Sequence, residues 1–224
     1  MFHNLSPFVQ SLLKPLAYWI ARRTSANTVT YTGLATLPAT LILMALGFKV
    51  WALSTYLFSS LFCDVLDGPV ARAREKLKFH DDKVWGGFVD AMKDKICQCS
   101  VIFTLVIMLP IQSTIEHIIF YILSATLIIY EIIVGAIRIH TYVEEKKNRK
   151  PTTKTPSKTN STEDGKDKTG WQVAGISFAM LAIMSTTPQG HWGLYVADIL
   201  LIISFYYGIL SLAEKLRQTG TLTR

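Results

Sequence analysis

Asp64 and Asp67 lie three positions apart, and Asp90 and Asp94 four apart, within the stretch CDVLDGPVARAREKLKFHDDKVWGGFVDAMKDK. Residues three or four apart share a face of a helix, so each pair stacks its carboxylates along one side. Gly68 and Ala71 extend the first face with minimal bulk, and Arg72 ends it with a cation. Gly86 opens the second face, four positions before Asp90. Two such helices laid against each other bring four carboxylates together. Like charges at this spacing repel, and carboxylates at the edge of hydrocarbon are costly; a divalent cation offsets both penalties. An all-oxygen ligand set suits hard Mg²⁺, or Mn²⁺. Two ions about 3.5–4 Å apart suit phosphoryl transfer, because they polarise the phosphate and clamp the attacking and leaving oxygens. The small residues leave room for a nucleotide against bare backbone. The bland reading is a set of surface acids on helix ends, paired with Lys93, Lys95 and Arg74. It accounts for any single aspartate more easily than for the whole set.

These helices have to be positioned by something, and the composition says what. Half of the 224 residues are hydrophobic and 17% are charged, against roughly 25% charged in soluble domains. The apolar residues fall in long runs, which predicts an all-α polytopic membrane protein. An N-terminal segment over 5–23 is apolar but broken by two prolines and three basic residues, which fits an interfacial amphipathic helix. Six spans are expected, over 29–48, 51–74, 85–109, 115–142, 171–186 and 192–212. The second and third are polar at the ends that carry the aspartates. Of the 23 Lys and Arg, all but Lys49 fall in the N-terminal segment, the second-to-third and fourth-to-fifth connections with their helix ends, and the tail. That asymmetry predicts cytoplasmic termini and a cytoplasmic aspartate cluster. The net charge of +7 is therefore read as topology signal and lipid or phosphate contact, and no nucleic-acid partner is expected. Residues 144–164 are rich in Lys, Thr, Ser and Pro and are expected to be a disordered cytoplasmic loop. The chain reads as one membrane domain over 1–224. Cys63, Cys97 and Cys99 show neither zinc spacing nor a disulfide framework.

The pattern D-x-x-D-G-x-x-A-R … G-x-x-x-D-x-x-x-D, filled here by Asp64, Asp67, Gly68, Ala71, Arg72, Gly86, Asp90 and Asp94, resembles the signature of CDP-alcohol phosphatidyltransferases. That resemblance extends over the whole chain, because the family shares the six spans and the N-terminal interfacial helix. It implies that Asp64, Asp67 and Asp90 are metal ligands and that Asp94 is both a ligand and the general base. It also implies that Gly68, Ala71 and Arg72 cradle the cytidine diphosphate. The stretch Ala26-Asn27-Thr28-Val29-Thr30 resembles the family's P-N-x-x-T, so Asn27 and Thr30 are expected to help hold the nucleotide; ordinary helix capping is the competing reading. Two features depart from the pattern. Thirteen residues separate Arg72 from Gly86, more than is usual in the family, and Pro69 removes one helical hydrogen bond. The extra residues are expected to form a surface loop in which Asp81 and Asp82 are solvated charges.

Two more segments bear on the acceptor alcohol. Gly165-Lys166-Asp167-Lys168-Thr169-Gly170-Trp171-Gln172 resembles a stretch before the fifth span of phosphatidylglycerophosphate synthases, and Glu131 to Arg138 resembles a segment of their fourth span, with Tyr130 replacing an arginine. The resemblance implies transfer from CDP-diacylglycerol to glycerol 3-phosphate, releasing CMP, with Arg138, Lys166 and Lys168 on the acceptor phosphate. Inositol, inositol phosphate, cardiolipin and choline or ethanolamine chemistry are the alternatives within the family. A small cation transporter is the alternative of a different class, but it needs polar groups through the bilayer midplane, and here the acids crowd one surface. For Glu131 and Asp198 a polar contact inside the bundle is expected. The expected setting is a bacterial inner membrane, with an organelle membrane as the alternative, and a homodimer is a possible assembly.

Overall fold

The computed structural model describes residues 7–79, 82–109, 115–148, 163–184 and 190–218, and all regular structure among them is helical. The helices are α1 (Pro7–Ala21), α2 (Ala26–Ala35), α3 (Leu37–Ala45), α4 (Lys49–Leu57), α5 (Cys63–Lys76), α6 (Lys83–Met108), α7 (Ile115–Asn148), α8 (Glu163–Ile183) and α9 (Gly190–Gln218). α2 runs into α3 across Thr36, and α4 runs into α5 through a π-helical turn at Phe58–Phe62. The described helices thus make one short leading helix and six longer rods.

The breaks have local causes. Ser25 caps α2 by accepting from Thr28 N at 3.2 Å, a role that Asn27 does not take. The α2–α3 break precedes Pro38, whose missing N–H and ring interrupt the hydrogen-bond ladder one turn earlier. α3 ends at Gly47, with φ +76, and Phe48 N donates back to Leu43 O at 2.9 Å. α5 ends the same way on a residue less suited to it: Lys78 has φ +63, and Phe79 N donates to Arg74 O at 3.0 Å. α6 starts at a cap that sequence reasoning misassigned. Asp82 is not merely a solvated loop charge, since its Oδ1 accepts from Val84 N at 3.0 Å and Trp85 N at 3.2 Å. Asp81 lies outside the described residues. Seven of the thirteen residues between Arg72 and Gly86 are helical, because α5 reaches Lys76 straight through Pro69 and α6 begins at Lys83. The stretch 144–164 is also partly helical. α7 continues to Asn148 and α8 begins at Glu163, eight residues before the start expected for the fifth span; residues 149–162 lie outside the described part.

The rods pack around a common core that includes Met44, Tyr56, Leu105, Phe120, Ile176 and Leu201. Their outward sides are apolar as well, at Ile42, Trp51, Phe103, Ile132 and Ile199 among others. Water would not leave so much apolar surface uncovered, whereas hydrocarbon would. Three described segments are long and apolar enough to cross a membrane: Ala26–Ala45, His117–Glu144 and Trp192–Glu214. The α4–α5 rod, α6 and α8 carry more charge, and much of it belongs to the site described next.

α1 packs apart from the main core. Its Ala17 and Ala21 meet Ala26, Val70 and Ala73, and these small side chains allow close approach to the back of α5. Arg74 of α5 completes the contact by donating from Nη1 to Ala21 O at 3.0 Å and to Thr24 O at 2.8 Å, which satisfies carbonyls left open where α1 ends. Leu16 and Trp19 of α1 remain exposed.

Candidate active site

The π-turn sets the start of the acidic helix. Cys63 N donates to Phe58 O, one residue wider than an α-helical bond, so α5 emerges rotated relative to α4. Ser59 in this turn donates to Gly33 O at 2.6 Å. A Cβ on Gly33 would come within 3.2 Å of Cys63 Cβ and of Ser59 O, so glycine is what lets α2 sit against this point. Cys63 and Cys97 are buried beside the site as free thiols, and Ser59 lies 3.5 Å from the Cys97 sulfur.

From this base α5 and α6 bring their carboxylates together. One oxygen each from Asp64, Asp90 and Asp94 lies within 4.8 Å of the others. Asp67, one turn further along α5, is close to Asp64 and Asp90 and borders this trio. The rest of the expected α5 face is accessible: Gly68 is half-buried, while Ala71 and Arg72 are exposed. The Arg72 guanidinium lies over Gly68, 3.5 Å from where a Cβ would stand. On α6, a Cβ on Gly86 would sit 2.8 Å from Asn27 Oδ1. Gly86 is therefore the residue that admits the Asn27 amide to the site. Thr30 is buried, and its hydroxyl donates to Ala26 O at 3.4 Å, toward its own helix and not toward the aspartates. Beside Gly86, Trp85, Phe88 and Tyr142 form an aromatic cluster. Phe88 stacks on Tyr142 at 4.4 Å between centroids, and Trp85 Nε1 donates to Tyr31 Oη at 3.0 Å.

The basic residues divide. Arg138 of α7 lies in the field of Asp90, Asp94 and Glu131. Lys168 of α8 is buried in an ion pair with Glu131 of α7, which also takes Lys95 of α6 at 2.7 Å. Glu131 does make the polar contact inside the bundle that its position implied, and it joins three helices. The Lys168 ammonium lies 5.0 Å from the Tyr130 ring, and the Tyr130 hydroxyl donates to Gly208 O of α9 at 2.6 Å. The side chain of Lys166 lies outside the described part. Sequence reasoning placed Lys93 only as a surface partner of the acids. It is wholly buried, with Nζ 3.5 Å from Asp90 Oδ1 and 3.4 Å from Asp94 Oδ1. Its position between the two signature aspartates of α6 was the available signal.

The residues fit a divalent ion. The donors are hard carboxylate oxygens, and Asp90 and Asp94 remain partly accessible. An octahedral site of about 2.1 Å radius holds its ligands up to about 4.2 Å apart, which small carboxylate rotations reach from the present spacing.

Residues 23–210 match the family model for CDP-alcohol phosphatidyltransferase. No curated protein and no solved structure gave a match. The matched span holds the aspartates of α5 and α6, the α2 segment that meets them and the buried triad of α6, α7 and α8. The chain therefore belongs to the CDP-alcohol phosphatidyltransferase family, integral-membrane enzymes that transfer a substituted phosphate group from a CDP-alcohol.

Proposed function

We propose that this enzyme transfers the phosphatidyl group of CDP-diacylglycerol to glycerol 3-phosphate and releases CMP, with Mg²⁺ or Mn²⁺ at the aspartates. The observation that carries this reading is the convergence of Asp64, Asp90 and Asp94 beside an accessible face of small residues ending in Arg72. Asp67 supplies a further carboxylate. When bound, the divalent ion neutralises the diphosphate and makes CMP a better leaving group.

Gly68 and Ala71 leave backbone open to the cytidine diphosphate. Arg72 offers its guanidinium to a phosphate oxygen, and Asn27 offers its amide beside Gly86. Asp94 accepts the proton of the acceptor hydroxyl as that oxygen bonds to phosphorus and the bond to CMP breaks. Beyond that proton transfer Asp94 orients the hydroxyl, and positioning and charge stabilisation supply most of the rate. Arg138 favours an anionic acceptor because it stands at the edge of the acidic cluster on α7. Lys168 and Lys95 share one carboxylate, so the triad keeps a net positive charge that supports the same preference. Lys166 is proposed as a further contact to the acceptor phosphate and Thr30 as a packing residue of the nucleotide end.

The six rods are read as six spans, with α1 lying in the interface and the aspartates on the cytoplasmic side. Lengths of 20 residues or more in each rod and the clustering of Lys and Arg support this. Purified protein would be given CDP-diacylglycerol, Mg²⁺ and radiolabelled glycerol 3-phosphate, inositol phosphate, inositol or serine. The expected result is metal-dependent labelling of lipid from glycerol 3-phosphate with equimolar CMP. Labelling from another acceptor, with none from glycerol 3-phosphate, would overturn the choice of alcohol.

A further inference from the structure

Lys93 stands out among the buried charges because the reaction has no use for it. Its side chain has no exposed surface, yet its ammonium ends among the aspartates, 3.4 Å from Asp94 and 3.5 Å from Asp90. Asp64 and Asp67 also lie in its field. Among the described residues none lies within ordinary hydrogen-bonding geometry of Nζ, so what holds it there is charge. An isolated buried ammonium is too costly to persist without carboxylates around it. Four carboxylates brought together without a cation would be equally unfavourable.

We propose that Lys93 is a tethered counter-ion of the metal centre: it holds the α5–α6 aspartates together before metal arrives, and it weakens the binding of the divalent ion it faces. The proposal rests on the metal-centre reading above. The ammonium cannot leave when the ion enters, because its side chain is packed on all sides. It therefore repels the incoming cation through shared oxygens on Asp90 and Asp94. The consequence is a site that keeps its shape without metal and takes up metal reversibly. How many ions the four carboxylates hold is then limited by a cation they already contain.

The test measures Mn²⁺ affinity by calorimetry, and thermal unfolding with and without saturating Mn²⁺, for wild type, K93M and K93R in detergent. Wild type is expected to stay folded after chelation and to bind Mn²⁺. K93M is expected to bind it at least about tenfold more tightly, since one unit charge within several ångströms is worth more than 1.4 kcal/mol at protein dielectric. K93R is expected to stay near wild type. Metal-free K93M is expected to unfold at a lower temperature than wild type, with most of the gap closed by Mn²⁺. A gap that Mn²⁺ leaves unchanged, or unaltered or weaker Mn²⁺ binding by K93M, would overturn the proposal, because Lys93 would then be a packing residue. Unfolding of wild type on chelation would overturn it without any variant. Wild type that stays folded but binds no Mn²⁺ would instead remove the metal-centre reading.

Discussion

Replacing Glu131 with Gln should be among the most damaging single changes in this bundle, and far worse than removing either lysine it holds. Glu131 is 1% exposed and joins Lys95 of α6 to Lys168 of α8. The glutamine keeps the shape and removes the charge, leaving two ammonium groups side by side. At roughly 5 Å separation and an effective dielectric of about 20, they repel by about 3 kcal/mol. Mutations that strand a buried charge in this way cost about 3–5 kcal/mol. Lys168→Met, by contrast, leaves one carboxylate paired with one ammonium, and it should cost about 1 kcal/mol. A chain of this size loses about 2–4 °C per kcal/mol. Thermal unfolding in detergent should therefore drop by roughly 6–20 °C for E131Q and by only a few degrees for K168M. Adding K168M to E131Q should recover part of the loss, since a single ammonium remains. If E131Q unfolds within about 2 °C of wild type, or K168M falls further than E131Q, the triad does not hold these helices as described.

Other variants test the site and the helix ends. Gly86→Ala would put a Cβ 2.8 Å from Asn27 Oδ1; it should raise KM for the CDP-alcohol with little loss of stability, because the amide can swing aside. Gly68→Ala meets nothing closer than the Arg72 guanidinium at 3.5 Å. Its stability should stay within about 0.5 kcal/mol, so a fall in activity would report a nucleotide lying on that face, and full activity would count against the cradle. Lys78→Gly should stabilise the protein by about 0.5–1 kcal/mol by relieving the φ of +63 at the end of α5, read as a rise in unfolding temperature. Asp82→Ala removes the acceptor for two backbone N–H groups at the start of α6 and should cost about 1 kcal/mol in the same assay.

The acidic faces were legible because helical spacing alone aligns Asp64 with Asp67 and Gly86 with Asp90 and Asp94. The rods were legible from apolar runs, with ends that differ wherever polar residues continue a helix, as at Glu163 and Asn148. What the spacing could not carry were contacts between distant segments. Glu131 meets a lysine 36 positions before it and another 37 after it, and neither partner is implied by local pattern. Lys93 looked like one more charge on a polar helix end, since burial depends on how α6 lies against α5. The π-turn at Phe58–Phe62 has no turn residue to announce it; it follows from the docking of Ser59 on Gly33. Asn27 was ambiguous between cap and ligand, and the capping role went to its neighbour Ser25.

The most direct measurement is anomalous diffraction at the manganese edge from crystals of the protein grown with Mn²⁺. The account predicts a peak between α5 and α6 at about 2.2 Å from oxygens of Asp64, Asp90 and Asp94, lost in D90N crystals. A well-diffracting crystal with Mn²⁺ bound elsewhere, and none between those two helices, would contradict it.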